Sequence, residues 1–255
     1  MNKTLDRLVL RAHGLKIGKR KIHPYFLFTD LSILLVLIFS YVFATYTTQI
    51  SFFKITLIIG AQFFLYDFFI KLKLQLFGIR YRTIVQDFLY FILPTYILGN
   101  FVLNNPILPS LDLLAFNLCI VIGTVRLGCF FGGCCHGFPC KIGVNYPEIV
   151  LNKVEKPRKF TPSDYCDIRV FPLQLVESIF CFLVFAILLL LLSTTNNTVL
   201  DGTYLLKFLM AYSVFRLITD FFKLHRGTQN IGKISQTQIA SCLIILICSI
   251  IFWLR

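Results

Sequence analysis

Apolar runs long enough to cross a lipid bilayer follow one another along almost the whole chain. A transmembrane helix needs about 20 mostly apolar residues. Phe26–Tyr46, Phe52–Ile70, Ile84–Val102, Leu111–Phe131, Leu173–Leu192, Tyr204–Phe222 and Thr237–Leu254 meet or approach that length. Breakers mark the joints between them: Asn104-Asn105-Pro106, Pro109, Pro172, Asn196-Asn197 and Gly202. The 255 residues are 57% hydrophobic, against roughly 45–50% for a soluble domain. A globular core cannot hide that much apolar surface, so the solvent must be lipid. The 28 Phe and 11 Tyr suit a lipid-facing surface with aromatic belts at its edges.

The expected fold is therefore an all-α integral membrane protein, a bundle of about seven transmembrane helices with one longer polar loop. It reads as a single polytopic membrane domain over residues 1–255, with a basic N-terminal segment at 1–24 and the polar loop at about 134–171. No apolar run precedes the basic segment, so no cleaved signal peptide is expected, and the first span serves as the insertion signal.

The formal net charge is +13. No RNA- or DNA-binding motif accompanies it, so nucleic acid is not an expected partner. The basic residues lie between apolar runs, where they meet anionic headgroups. They cluster before the first span (Lys16, Lys19, Arg20, Lys21), after the second (Lys71, Lys73, Arg80, Arg82), in the long loop (Lys153, Lys156, Arg158, Lys159) and after the sixth (Lys223, Arg226, Lys233). All fall on one side, which the positive-inside rule assigns to the cytoplasm, with Arg255 outside.

Charged groups within spans are costly and default to functional hypotheses. Arg126 follows "LCIVIGTV", Gln174 and Glu177 open the fifth span in "FPLQLVES", and Arg216 and Asp220 sit in "YSVFRLITDFF". Gln174 and Glu177 share a helix face at i, i+3, and Arg216 and Asp220 share one at i, i+4. Polar glue between helices is one reading of such pairs. Two arginines near one membrane face also suit a phosphate, whose oxygens match the guanidinium fork. Tyr25 stands at the mouth of the first span. Gly128, Gly132, Gly133 and Gly137 either let a headgroup approach backbone amides or let helices pack closely.

These motifs, in this order, resemble the prolipoprotein diacylglyceryl transferase family. "GTVRLGCFFGGCCHG" resembles its signature G-x-x-R-x-G-N-F-x-N-G-E-x-x-G, "FPLQLVES" its H-P-[ST]-Q-L-Y-E, and "DGTYLLKFLMAYSVFRLITDFFK" its Y-G-x-x-R-x-x-x-E-F-F-R region. "ISQTQIASCL" and "HPYFLF" resemble two shorter family motifs. The resemblance implies a bundle of the same kind in a bacterial inner membrane. It implies transfer of a diacylglyceryl group from phosphatidylglycerol, or another anionic phospholipid, to a cysteine thiol of a lipoprotein precursor, without a cofactor. It implies Arg126, Arg216, Tyr25 and Asp220 in catalysis, with Gln174, Glu177, Gly128, Gly133, Gly137 and Lys223 binding substrate. A related transferase with a non-lipoprotein acceptor is the alternative. The family arrangement also turns the signature arginine outward and the C-terminus inward, opposite to the charge bias.

The departures are local. "RYRTIVQDFLYF" has no histidine where the family carries H-G-G-L, Phe171 replaces the histidine of H-P, and Asp220 replaces a glutamate. A general base is then open between His136 and His23. Cys129 stands at the signature asparagine, and Cys134 at its glutamate. Cys129, Cys134, Cys135 and Cys140 raise four readings: a metal site, a redox pair, a disulfide such as Cys134–Cys140, or a variation on a glycine-rich turn.

Overall fold

The computed structural model describes residues 2–13, 16–17, 20–21, 23–77, 91–135, 137–146, 168–194, 200–222, 230–231 and 234–254. Helices stand where the apolar runs predict them: α2 (Pro24–Thr47), α3 (Phe52–Phe77), α4 (Leu93–Val102), α5 (Ile107–Gly132), α6 (Leu173–Thr194), α7 (Thr203–Asp220) and α8 (Gln236–Leu254). Pro24 opens α2, where a missing N–H costs nothing. An additional helix, α1 (Asn2–His13), forms in the basic segment. Short strands β1 (Lys16–Ile17), β2 (Arg20–Lys21), β3 (Pro139–Asn145), β4 (Arg169–Val170), β5 (Asn230–Ile231) and β6 (Ile234–Ser235) pair two by two.

Among the described residues, α2, α5, α6 and α8 are long and apolar enough to span a bilayer. Over the described residues the other three expected spans are helical without meeting that standard. α3 carries an apolar stretch over Phe52–Tyr66, residues 84–90 of the third expected span lie outside the described residues and its helix α4 runs from Leu93, and α7 carries Lys207, Arg216 and Asp220. Side chains that water would drive inward face out: Phe64 is 78% exposed and Trp253 85%. Lipid is the medium that satisfies such a surface.

Contacts cluster the chain into two units. The second comprises residues 37–117, 188–217 and 231–255, and its interior holds polar networks. Asp112 is fully buried on α5 and accepts from the backbone N–H groups of Gly202 at 2.9 Å, Tyr204 at 2.8 Å and Leu205 at 3.4 Å. It satisfies the orphan donors that open α7. Asn105 Nδ2 donates to Asn100 Oδ1 at 2.7 Å and to Ser110 Oγ at 2.9 Å, and Tyr96 Oη donates to the Ser110 carbonyl at 3.0 Å. Asn117 Nδ2 donates to Ser40 Oγ at 3.1 Å. Such bonds glue helices together where no hydrophobic driving force acts between them.

The first unit comprises residues 1–36, 118–187 and 218–230. Within it the polar loop is partly a ribbon: β3 and β4 pair antiparallel, with Asn145 opposite Arg169 and an irregularity between Pro139 and Val144. α1 lays Val9 and Leu5 on this ribbon, against Phe130, Val144, Tyr146 and Val170. Asp6 holds it in place, accepting from the Asn145 N–H at 3.0 Å and pairing with Arg169 at 3.1 Å. The expected basic tail is thus an amphipathic helix with a docking face. A Cβ on Gly143 would run into the Val170 backbone, so glycine is required where the ribbon closes.

Candidate active site

α5 ends where its sequence turns to glycine. The Cys134 N–H bonds to the Cys129 carbonyl at 3.2 Å, and the Gly133 N–H to the Phe130 carbonyl at 3.4 Å. This paired closure needs a left-handed residue after the helix. Gly133 supplies it with φ 71°. Cys135 follows with φ 60°, a conformation that costs a non-glycine residue energy.

α6 begins beside this turn. Gln174 and Glu177, on one face as their spacing predicts, are each 1% exposed. Gln174 Nε2 donates to the Cys134 carbonyl at 2.5 Å. Its Oε1 is buried and meets no donor among the described residues. Glu177 Oε2 lies 3.0 Å from Nε of the buried Arg126, one turn before Cys129 on α5. The signature arginine and the second carboxamide–carboxylate motif therefore meet in one buried cluster.

Tyr146 packs against the same cluster from the end of β3. Its hydroxyl donates to the Phe130 carbonyl at 2.9 Å and lies beside the Gln174 amide. Burial holds its phenol far above its usual ionisation range, with the Cys134 thiol adding to the effect. It stays a neutral hydrogen-bond donor.

α2 covers the site from its N-terminal end. A Cβ on Gly128 would stand 2.9 Å from Phe28 Cβ and 3.3 Å from the Tyr25 backbone. A Cβ on Gly132 would stand 3.1 Å from the His23 ring. These glycines admit a neighbouring helix, the packing alternative raised from sequence, and their space is filled by protein. Gly137 is likewise packed, against Phe171 and the Phe222 carbonyl, and its N–H bonds to the Phe171 carbonyl at 2.9 Å. Phe171 stacks on Phe138 with centroids 5.8 Å apart and leans on Phe222 at 6.5 Å. Where the family motif has a histidine, this chain has an aromatic stack.

The cysteines divide. The sulfurs of Cys129, Cys134 and Cys135 lie within 4.8 Å of one another, and Cys140 is not in that group. Cys134 and Cys140 stand as separate thiols, so the disulfide considered between them is not made. The ribbon carries Cys140 away along β3. The Cys134 thiol is pushed well above its ordinary range, first by its contacts with Cys129 and Cys135 and then by burial.

Tyr25 and His23 are half-buried at the start of α2, where the Tyr25 N–H bonds to His23 Nδ1 at 3.2 Å. His136 and Lys223 lie outside the described residues. Arg216 and Asp220 are 5% and 1% exposed on one face of α7. Asp220 groups with the first unit and Arg216 with the second. Sequence reasoning missed Tyr146, Asp112 and the Asp6–Arg169 pair. A charge inside an apolar run was a usable signal for Asp112. Tyr146 and Asp6 gave none, because their partners are distant in sequence.

A profile of the prolipoprotein diacylglyceryl transferase family matches residues 14–254. The chain is 31% identical over 152 residues to the phosphatidylglycerol–prolipoprotein diacylglyceryl transferase of Clostridium tetani, covering 58% of this chain and 54% of that one. It is 28% identical over 142 residues to the phosphatidylglycerol–prolipoprotein diacylglyceryl transferase 2 of Clostridium perfringens, covering 55% and 49%. The matches thus span about half the length of these relatives. The family match runs across every helix from α2 to α8 and through the buried Arg126–Glu177 cluster: this chain belongs to the prolipoprotein diacylglyceryl transferase family.

Proposed function

We propose that this protein is a multi-pass enzyme of a bacterial cytoplasmic membrane. It transfers a diacylglyceryl group from phosphatidylglycerol, or another anionic phospholipid, to a cysteine thiol of a lipoprotein precursor. The observation that carries the reading is the burial of Arg126 beside Glu177 on the motif that the family shares. A charged pair in a lipid-embedded bundle is expensive, and a function that needs the cation explains its retention.

The acceptor sulfur attacks the glyceryl carbon that carries the phosphate ester. The S–C bond forms as the C–O bond breaks, and glycerol phosphate leaves with the electron pair. The thiol proton goes to a base, for which His23 and His136 are the candidates. Negative charge grows on the phosphate oxygens, and a positioned guanidinium at Arg126 stabilises it. Glu177 holds that guanidinium, and Gln174 holds the turn after α5. The family motif assigns Arg216 and Asp220, on α7, to catalysis as well, and Tyr25 bounds the site on the α2 side.

The test is lipid transfer by Arg126→Ala and Arg216→Ala variants that still insert in the membrane. Loss of transfer supports the reading; near-normal transfer by both overturns it. Reporter fusions at Arg255 decide the acceptor. A C-terminal fluorescent protein that folds only in the cytoplasm lights up if the site faces outward, where precursors arrive. An active alkaline phosphatase fusion places the site on the cytosolic side, and a non-lipoprotein acceptor then replaces the precursor.

A further inference from the structure

Three sulfurs converge at the end of α5, and the transfer reaction uses none of them. Cys129 contributes from the last turn of the helix, Cys134 from the closing turn, and Cys135 from the left-handed residue after it. Their sulfurs lie within 4.8 Å of one another. The Cys134 thiol already points back along the helix end, 3.8 Å from the Cys129 carbonyl. Burial is graded: Cys129 is buried, Cys134 half-buried and Cys135 exposed, so an ion can enter through Cys135. Adjacent cysteines in regular backbone point their side chains apart. Here φ 60° at Cys135 breaks that geometry and brings both sulfurs to the same side as Cys129.

We propose that Cys129, Cys134 and Cys135 form a three-sulfur binding site for a thiophilic monovalent cation, copper(I) in particular. Soft thiolates favour copper(I), and sulfur-only coordination with three ligands suits it. Structural zinc wants a closed tetrahedron, and the group found among the described residues has three members. Binding exchanges thiol protons for the metal: the protons pass to solvent, three sulfur–metal bonds form, and no electron moves. Arg126, three residues before Cys129 and on the same face of α5, adds positive charge near the resulting anionic cluster. The bound ion would tie the helix end to the turn whose carbonyl Gln174 holds.

The experiment uses the full chain in detergent, reduced and handled without oxygen. Copper(I) is supplied as its acetonitrile complex in competition with bathocuproine disulfonate, and X-ray absorption reads the first shell. The expected result is one equivalent of copper(I) in a sulfur-only shell. Cys135→Ser and Cys129→Ala should each weaken binding by about tenfold or more, and Cys140→Ser should leave it unchanged. Cys135 is exposed, so its serine variant keeps the fold and decides the matter even if Cys129→Ala does not assemble. The site is overturned if Cys135→Ser, or a Cys129→Ala/Cys134→Ser/Cys135→Ser variant, retains copper as well as the parent. It is overturned equally by a shell dominated by nitrogen or oxygen, or by zinc displacing copper(I) at equal concentration.

Discussion

Arg126 Nε and Glu177 Oε2 stand 3.0 Å apart, with side chains 8% and 2% exposed, on two helices whose contact the sequence spacing does not reveal. Removing one member of such a pair strands the other as an uncompensated buried charge, a loss of about 3–5 kcal/mol. Glu177→Ala should therefore lower the thermal unfolding midpoint in detergent, and Arg126→Ala should do the same. A double Arg126→Leu/Glu177→Leu variant should recover much of that stability while losing lipid transfer. A loss in the double variant equal to the sum of the two single losses would show that the pair carries no coupling.

Gly128 tests the packing of α2 on α5. A methyl group there meets Phe28 Cβ at 2.9 Å and the Tyr25 backbone at 3.3 Å. Gly128→Ala should destabilise by about 1–3 kcal/mol, the usual range for overpacking, and Gly128→Val by more. Trimming Phe28 in the same chain should relieve part of the loss. Destabilisation that Phe28→Ala leaves untouched would place the strain elsewhere.

The Cys134 thiol ionises well above its ordinary range because of its two cysteine neighbours and its burial. The thiolate is the reactive species. At neutral pH the folded protein should alkylate at Cys134 far more slowly than the same residue in detergent-denatured chain. The rate should rise about tenfold per pH unit as the pH climbs toward the raised value. The denatured chain should level off sooner, since its thiol ionises at the lower, ordinary value. Mass spectrometry of peptides labelled over a pH series reads both curves, and coincident curves would contradict the environment described.

Asp112 caps α7 through three backbone N–H groups. Asp112→Ala leaves those donors buried without an acceptor, at a cost of about 1–3 kcal/mol. Asp112→Asn keeps part of the capping and should fall between. Hydrogen exchange at Gly202, Tyr204 and Leu205 should speed up in the alanine variant, and unchanged protection would argue against the cap.

Much of this molecule was legible in one dimension. Spans depend on summed transfer free energy over consecutive residues, so Phe26–Tyr46 or Leu173–Leu192 announce their helices without any partner. The turn after α5 was legible too, because Gly133 supplies a local backbone conformation. Helical spacing likewise put Gln174 and Glu177 on one buried face.

What escaped depends on groups brought together across the fold. α1 is amphipathic, but only the ribbon from distant residues makes Val9 a core residue and Asp6 an anchor. Gly128 reads alike as a headgroup contact or a helix contact until Phe28 occupies the space. Sequence alone determined that this chain lives in lipid, which stretches of it form apolar helices, and which motifs it shares with its family. Each of these follows from neighbours along the chain. Tertiary structure alone decided that Arg126 meets Glu177, that Gln174 holds the Cys134 carbonyl, and that three of four candidate cysteines converge. Those are short-range interactions between residues far apart in sequence, and only the folded backbone sets their distances.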